Sequence, residues 1–243
     1  IPIQVSLEAY TPFIPLNAND SGIPGAYLQY KVKNPTSQKV EVSIAGSMNN
    51  AVGFEGYNNF SFMQHAGERE NEYRDDKGVR GIAYTGSGFS DKHITWGNMA
   101  LTTTAPAENI TKKPLWYQGQ WTDGGEDFWQ DFSSDGKLND DSMYDQVGST
   151  WAEKSDFSFL HFTDKVGSLC ITHTLEPGEE KFFTFIISWY FPNRPKMWIE
   201  IDKDKGDISD YLSSLPTREC GLKYCKIING FGVCSHSLHG SVD

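Results

Sequence analysis

Between Trp121 and Leu138 the sequence reads WTDGGEDFWQDFSSDGKL. Five carboxylates, Asp123, Glu126, Asp127, Asp131 and Asp135, stand among four large rings, Trp121, Phe128, Trp129 and Phe132. Acids beside aromatic faces suit several chemistries. A sugar-cleaving site needs two carboxyl groups across the ring, about 5 Å apart for retention or about 6.5–9.5 Å for inversion. A calcium loop needs acids at alternate positions ahead of a glycine. DFSSDG places Asp131 and Asp135 before Gly136 but puts Ser133 between them, a poor match. A third reading is structural: Phe128, Trp129 and Phe132 anchor the segment in a core while the acids face water. Spacing alone leaves these open. The candidate sugar-facing or domain-interface residues are Trp96, Trp116, Trp121, Asp123, Glu126, Asp127 and Trp129.

Other chemistry-bearing types are thinly spread. Cys220, Cys225, Cys234, His236 and His239 invite a zinc reading, but the second pair is Cys-x-His, tighter than the usual knuckle. No metal site is assigned. His65, His93, His161 and His173 are scattered, and their spacing argues no nucleophile–base pair. No phosphate-binding or dinucleotide glycine motif occurs. No cofactor is expected.

The elements that must carry these residues read as strands. AYLQYKVKN puts Ala26, Leu28, Tyr30 and Val32 on one face; QKVEVSIAG does the same with Val40, Val42 and Ile44. The turn cluster KNPTSQ between them predicts a hairpin. GSLCITHTL and KFFTFIISWYF flank EPGE, which has Pro and Gly in the order of a type II turn and predicts a second hairpin. Phe183, Phe185, Ile187 and Trp189 alternate with Phe182, Ile186 and Tyr190. A strand apolar on both faces predicts a central strand covered on both sides. Helical stripes are sparse before residue 205. Residues 60–92 are expected to form long loops around one short strand, VRGIAY, and 105–150 to form long loops as well. The predicted fold is all-β: a large antiparallel two-sheet β-sandwich with long loops, over residues 1–200. Composition shifts near 203, and 201–243 is expected to be an atypical tail or linker remnant.

Composition bounds the partners. The 243 residues carry a formal net charge of −11 and are 14 % aromatic, with seven Trp. A negative field repels phosphate backbones and anionic lipid, so no nucleic acid partner is expected. The longest apolar run, Phe182–Phe191, is too short to span a bilayer as a helix, so no transmembrane segment is expected. The chain opens on strand-like IPIQVSLEAY rather than on a signal peptide, which suggests trimming at the N-terminus. One cysteine in the first 219 residues rules out a disulfide framework for the body and is compatible with a reducing, cytoplasmic setting.

Longer stretches carry a resemblance. SLEAYTPFIPLNANDSGIPGAYLQYKVKNPTSQKVEVSIAGSMNNAVG resembles the opening of the N-terminal domain of glycoside hydrolase family 116, the family of non-lysosomal glucosylceramidase and related β-glucosidases. NEYRDDKGVRGIAY, WGNMALTT, FWQDFSSDGKL and FFTFIISWYFPNR resemble later blocks in the same order, so the likeness spans roughly residues 3–195. It implies a β-sandwich that packs on a C-terminal (α/α)6 barrel, where both catalytic carboxylates reside and a β-glucoside is hydrolysed with retention. No position in this chain matches the family's catalytic motifs, so no catalytic residue is carried over. The sequence departs from the family after FPNRPKMW, and the expectation is a truncated, frame-shifted or unusually short member.

Overall fold

The computed structural model describes residues 2–57, 63–117, 123–139 and 165–193, with the pairs 227–228 and 231–232. In chain order the elements are β1 (Gln4–Tyr10), α1 (Ala18–Ser21), β2 (Gly25–Lys33), β3 (Val40–Asn49), β4 (Phe54–Tyr57), β5 (Met63–His65), β6 (Glu68–Asp76) and β7 (Val79–Ser87). They continue with β8 (Asn98–Thr103), β9 (Ile110–Tyr117), α2 (Asp123–Asp135), β10 (Lys165–Leu175), β11 (Glu180–Tyr190) and a two-strand fragment, β12 (Ile227–Ile228) and β13 (Phe231–Gly232). A six-stranded sheet runs β1-β2-β11-β8-β7-β6, and a three-stranded sheet runs β3-β10-β9. Their pairings are antiparallel. The all-β class read from the alternation holds.

Both sheets feed one core. Val32, Ile82, Tyr84, Leu101, Phe183 and Phe185 come from the six-stranded sheet; Val42, Leu169, Ile171 and Leu175 come from the three-stranded one. This is the relation that a two-sheet sandwich requires. Tyr84 ties the layers with a polar contact, its hydroxyl donating to the Gly167 carbonyl at 3.0 Å. Burial holds that phenol protonated, well above its ordinary pKa.

Neither predicted hairpin is a hairpin. β2 pairs with β1 and β11, whereas β3 pairs with β10; β10 pairs with β3 and β9, whereas β11 pairs with β2 and β8. Both connections instead cross from one sheet to the other. The turn chemistry at Glu176–Glu179 is as expected, with Gly178 at φ 78° and Glu179 N–H donating to the Glu176 carbonyl. A turn of that kind closes a crossover as readily as a hairpin. Asn34, fully buried, stitches the two crossovers together. Its amide donates to the Gln38, Leu175 and Glu176 carbonyls, its N–H donates to Glu179 O, and its carbonyl accepts from Gly178 N–H.

The loop expectations also need correction. Residues 68–87 form the paired strands β6 and β7, joined through Lys77 and Gly78, both at positive φ, the geometry of a two-residue type I′ turn. VRGIAY is indeed strand, but its partner β6 is charged at nearly every position and offers little apolar alternation to read. Within 105–150, β9 and the thirteen-residue helix α2 replace the expected loop. β11 is central, between β2 and β8, and buries Phe183 and Phe185. Its other face is open at Phe182, which is exposed, so cover on both sides is incomplete. No helix among the described residues is long and apolar enough to cross a membrane.

Candidate functional site

The acidic aromatic segment becomes α2, which lies on the outer face of the three-stranded sheet. Acids in its first turns favour the positive end of the helix dipole. Gly136, at φ 73° with its N–H bonded to the Phe132 carbonyl at 2.8 Å, ends it in the left-handed conformation that glycine adopts cheaply. Gly124 and Gly125 in the first turn cost helix propensity and hide the element from a sequence reading. Phe128 and Phe132, one turn apart, stack on each other, and Phe128 stacks on Trp116 of β9 with centroids 4.9 Å apart. Trp116 is buried and its indole N–H donates to the Ser168 hydroxyl at 2.8 Å. Ser168 in turn shares a 2.6 Å hydrogen bond with Ser47.

One acid of the segment is committed to the same face. The Asp131 carboxylate lies 3.3 Å from the Lys113 ammonium, a side chain only 3 % exposed. Asp131 also accepts from the Asn139 backbone N–H at 3.1 Å and from the Asn139 side-chain amide. The chain after the helix is pinned further on, where Leu138, buried, donates its N–H to the Thr111 hydroxyl. Cys170 lies beneath, its thiol donating to the Gly136 carbonyl at 3.6 Å; burial pushes that thiol up from its ordinary pKa and keeps it protonated.

The seven candidate residues therefore part company. Trp116 is a buried bracket for α2, not a surface platform. Trp96 is half-buried, edge-on to Tyr190 at 6.3 Å at the end of β11, and so belongs to the other sheet. Glu126 is exposed and accepts from Gln130 one turn along. Trp129 is 62 % exposed, tilted against Phe132. Asp123 and Asp127 stand one turn apart at the start of α2, and Trp121 lies outside the described residues. From the candidate set, α2 presents the Trp129 ring and the Glu126 carboxylate to solvent. The Lys113–Asp131 pair and the Trp116–Ser168–Ser47 chain escaped the sequence reading, because a lysine in a strand carries no mark of its burial.

Elsewhere, a shallow depression of about 380 Å3 holds Glu41, Glu108, Asn109, Lys137 and His173, but its lining has no Trp, Tyr or Phe ring on which a sugar could stack. His173 is tethered to Glu179 at 3.6 Å. His65 is pushed down to a pKa of about 4, by burial first and by the Arg69 charge second, so it is neutral at pH 7. His93 is bracketed by Thr95 at 2.8 Å and Glu55 at 3.3 Å. Each of these histidines is held by its own local partners, and His161 lies outside the described residues. No cluster of three or more His, Cys, Asp or Glu side chains among the described residues could hold a metal ion.

The chain matches a family model over residues 1–216, and that model describes the N-terminal region of glycosyl hydrolase family 116, β-glucosidase 2. The match takes in the strands of both sheets and α2, with its buried bracket, in one continuous span. The chain belongs to the glycoside hydrolase family 116 N-terminal domain family.

Proposed function

We propose that this chain is the non-catalytic N-terminal β-sandwich of a β-glucosidase or glucosylceramidase-like enzyme, supporting a retaining hydrolysis performed by a C-terminal (α/α)6 domain outside this sequence. The observation that carries the reading is the membership of an N-terminal-domain family together with the employment of the acidic aromatic segment. Trp116, Phe128, Phe132 and Asp131 spend their rings and charge on fastening α2 to the sheet. Glu126 and Trp129 are exposed and serve as contact residues toward another domain or toward substrate. On this reading the domain occupies residues 1–200, and 201–243 is a tail or linker remnant.

The test is hydrolysis of a chromogenic β-glucoside by the purified chain, beside Asp123→Asn and Asp127→Asn. Turnover no faster than the blank is expected. Turnover that vanishes in either variant would make α2 a catalytic element and overturn the proposal.

One observation favours a second reading, a stand-alone carbohydrate-binding module. Trp129 exposes a large ring on a helix, and solvent-facing rings are where sugars stack. Titration calorimetry with a soluble β-glucan decides it: heat that disappears in Trp129→Ala supports binding, and no heat at millimolar ligand disposes of it.

A further inference from the structure

The exposed large apolar side chains concentrate at one corner. Val5, Leu7, Tyr10, Phe13, Ile14 and Leu16 are exposed there, with Phe13 at 75 %. β1 is an edge strand, and all seven of its residues are exposed. Its register with β2 sets Val5 opposite Val32, Leu7 opposite Tyr30 and Ala9 opposite Leu28. Cross-strand partners share a face, so Val5, Leu7 and Ala9 project on the core side. Among the described residues, three strands in the second layer face six in the first, and the core-side residues of β1 are exposed.

A bare, extended edge is a template for another strand. Sheets guard against this with charge, and the opposite edge does so. β6 is charged at seven of its nine positions, Glu68, Arg69, Glu70, Glu72, Arg74, Asp75 and Asp76. β1 carries a single charge, Glu8, in a chain whose formal net charge is −11.

We propose that β1 pairs antiparallel with β1 of a second copy of this chain, across a two-fold axis at Leu7, joining two six-stranded sheets into one. The sequence of β1 is self-complementary in that register. Leu7 faces Leu7, Val5 faces Ala9, Ser6 faces Glu8 and Gln4 faces Tyr10, so the core side is wholly apolar and no like charges meet. Registers displaced along the strand shorten the ladder; the one that pairs residue 8 with itself sets Glu8 against Glu8. The antiparallel direction carries the segment after Tyr10 past the start of the second copy's β1. That segment is built to hold its apolar groups out. The Ser21 hydroxyl accepts from Ile14 N–H at 2.8 Å and donates to Ile14 C=O at 2.9 Å, while Asn17 caps α1 through Asp20 N–H. Leu16, fully exposed, sits at φ 65°, in the left-handed region that non-glycine residues seldom adopt. Association through this sheet closes at two copies, because it consumes β1 and the other edge of the same sheet, β6, is charged.

Sedimentation equilibrium under reducing conditions tests the pairing with the wild-type chain, Leu7→Lys, Leu7→Glu and an equimolar mixture of the two variants. The wild type is expected to form dimers that dissociate on dilution. Each variant alone places two like charges on the axis and weakens association by about tenfold or more. The mixture places Lys opposite Glu and restores the dimer. Leu7 is half exposed, so both variants should keep the wild-type circular dichroism. Independently, hydrogen exchange of the β1 amides should slow as protein concentration rises. A chain that stays monomeric at high micromolar concentration would overturn the proposal and leave β1 to another cover, such as the catalytic domain. Dimers untouched by both variants, assemblies larger than two, or β1 exchange independent of concentration would overturn it equally.

Discussion

The outer face of the three-stranded sheet and the edge of the six-stranded sheet at β1 reverse the usual expectation. The first is rich in polar groups, yet α2 and its own neighbours bury Lys113 and Ser168 and half-bury Ser43 and Thr172, leaving Ser47 exposed. The second carries Val5 and Leu7, yet it is bare. Cover follows the partner that arrives, and hydrophobicity alone does not supply one. α2 brings two stacked rings and a carboxylate to a face whose polar groups already satisfy one another: Ser43 with Thr172 at 2.9 Å, Ser47 with Ser168, and Trp116 with Ser168. Buried polar groups are tolerated when each finds a partner. Among the described residues, β1 finds none for its free edge.

This contrast can be broken from the covered side first. Trp116→Ala removes the ring that Phe128 stacks on and the donor to Ser168, and should cost about 4 kcal/mol in denaturant unfolding. A loss near zero would mean that α2 is not fastened through this ring. Asp131→Ala takes the carboxylate from the buried Lys113 and should cost about 3 kcal/mol. The double variant should cost less than the sum, since both residues hold one helix. Full additivity would show that the two anchors act independently.

Thiol chemistry sharpens the contrast with a local readout. Cys170 lies under the end of α2 with its pKa raised by burial, so alkylation located by mass spectrometry should be slow in the wild type at pH 7. Either variant should accelerate it through opening of α2, well before global unfolding. Equal labelling rates in all three chains would deny that α2 is the cover.

The smallest effect belongs to the bare side. Val5→Thr on dilute, monomeric chain should change stability by no more than about 0.5 kcal/mol, because that side chain is more than half exposed. A large loss would reveal cover over β1 within the monomer. Acid titration gives a further check on a region apart from both. His65 titrates near 4 in the fold against 6.5 when free, so the folded state prefers it neutral. Its contribution is complete above pH 6.5 and is lost as pH falls from 6.5 toward 4. His65→Gln should flatten that part of the stability curve; an unchanged curve would mean that His65 is solvated.

Much of the candidate site was legible as residue types and little of it as roles. The rings and acids of 121–138 drew notice, and the structural reading placed Phe128 and Phe132 correctly as anchors. The same reading expected Trp129 to anchor as well, and that ring faces solvent. Trp116, a candidate platform, is the buried bracket. A tryptophan's composition is silent on which side of a sheet meets a helix. The helix itself was missed because its apolar stripe is two phenylalanines long and its first turn holds two glycines.

By itself the sequence determined the strand class, the faces and the turns. Alternation with period two commits Val32, Val42, Ile171, Phe183 and Phe185 to one buried side, whatever lies beside them. The Pro-Gly pair at 177–178 sets its local backbone in the same way. Tertiary structure alone decided the partners. β2 and β3, or β10 and β11, present identical patterns whether they pair with each other or cross between sheets. Local periodicity encodes which face is apolar; only the closing of the shared core, with Asn34 knotting both crossovers, selects which strand stands next to which.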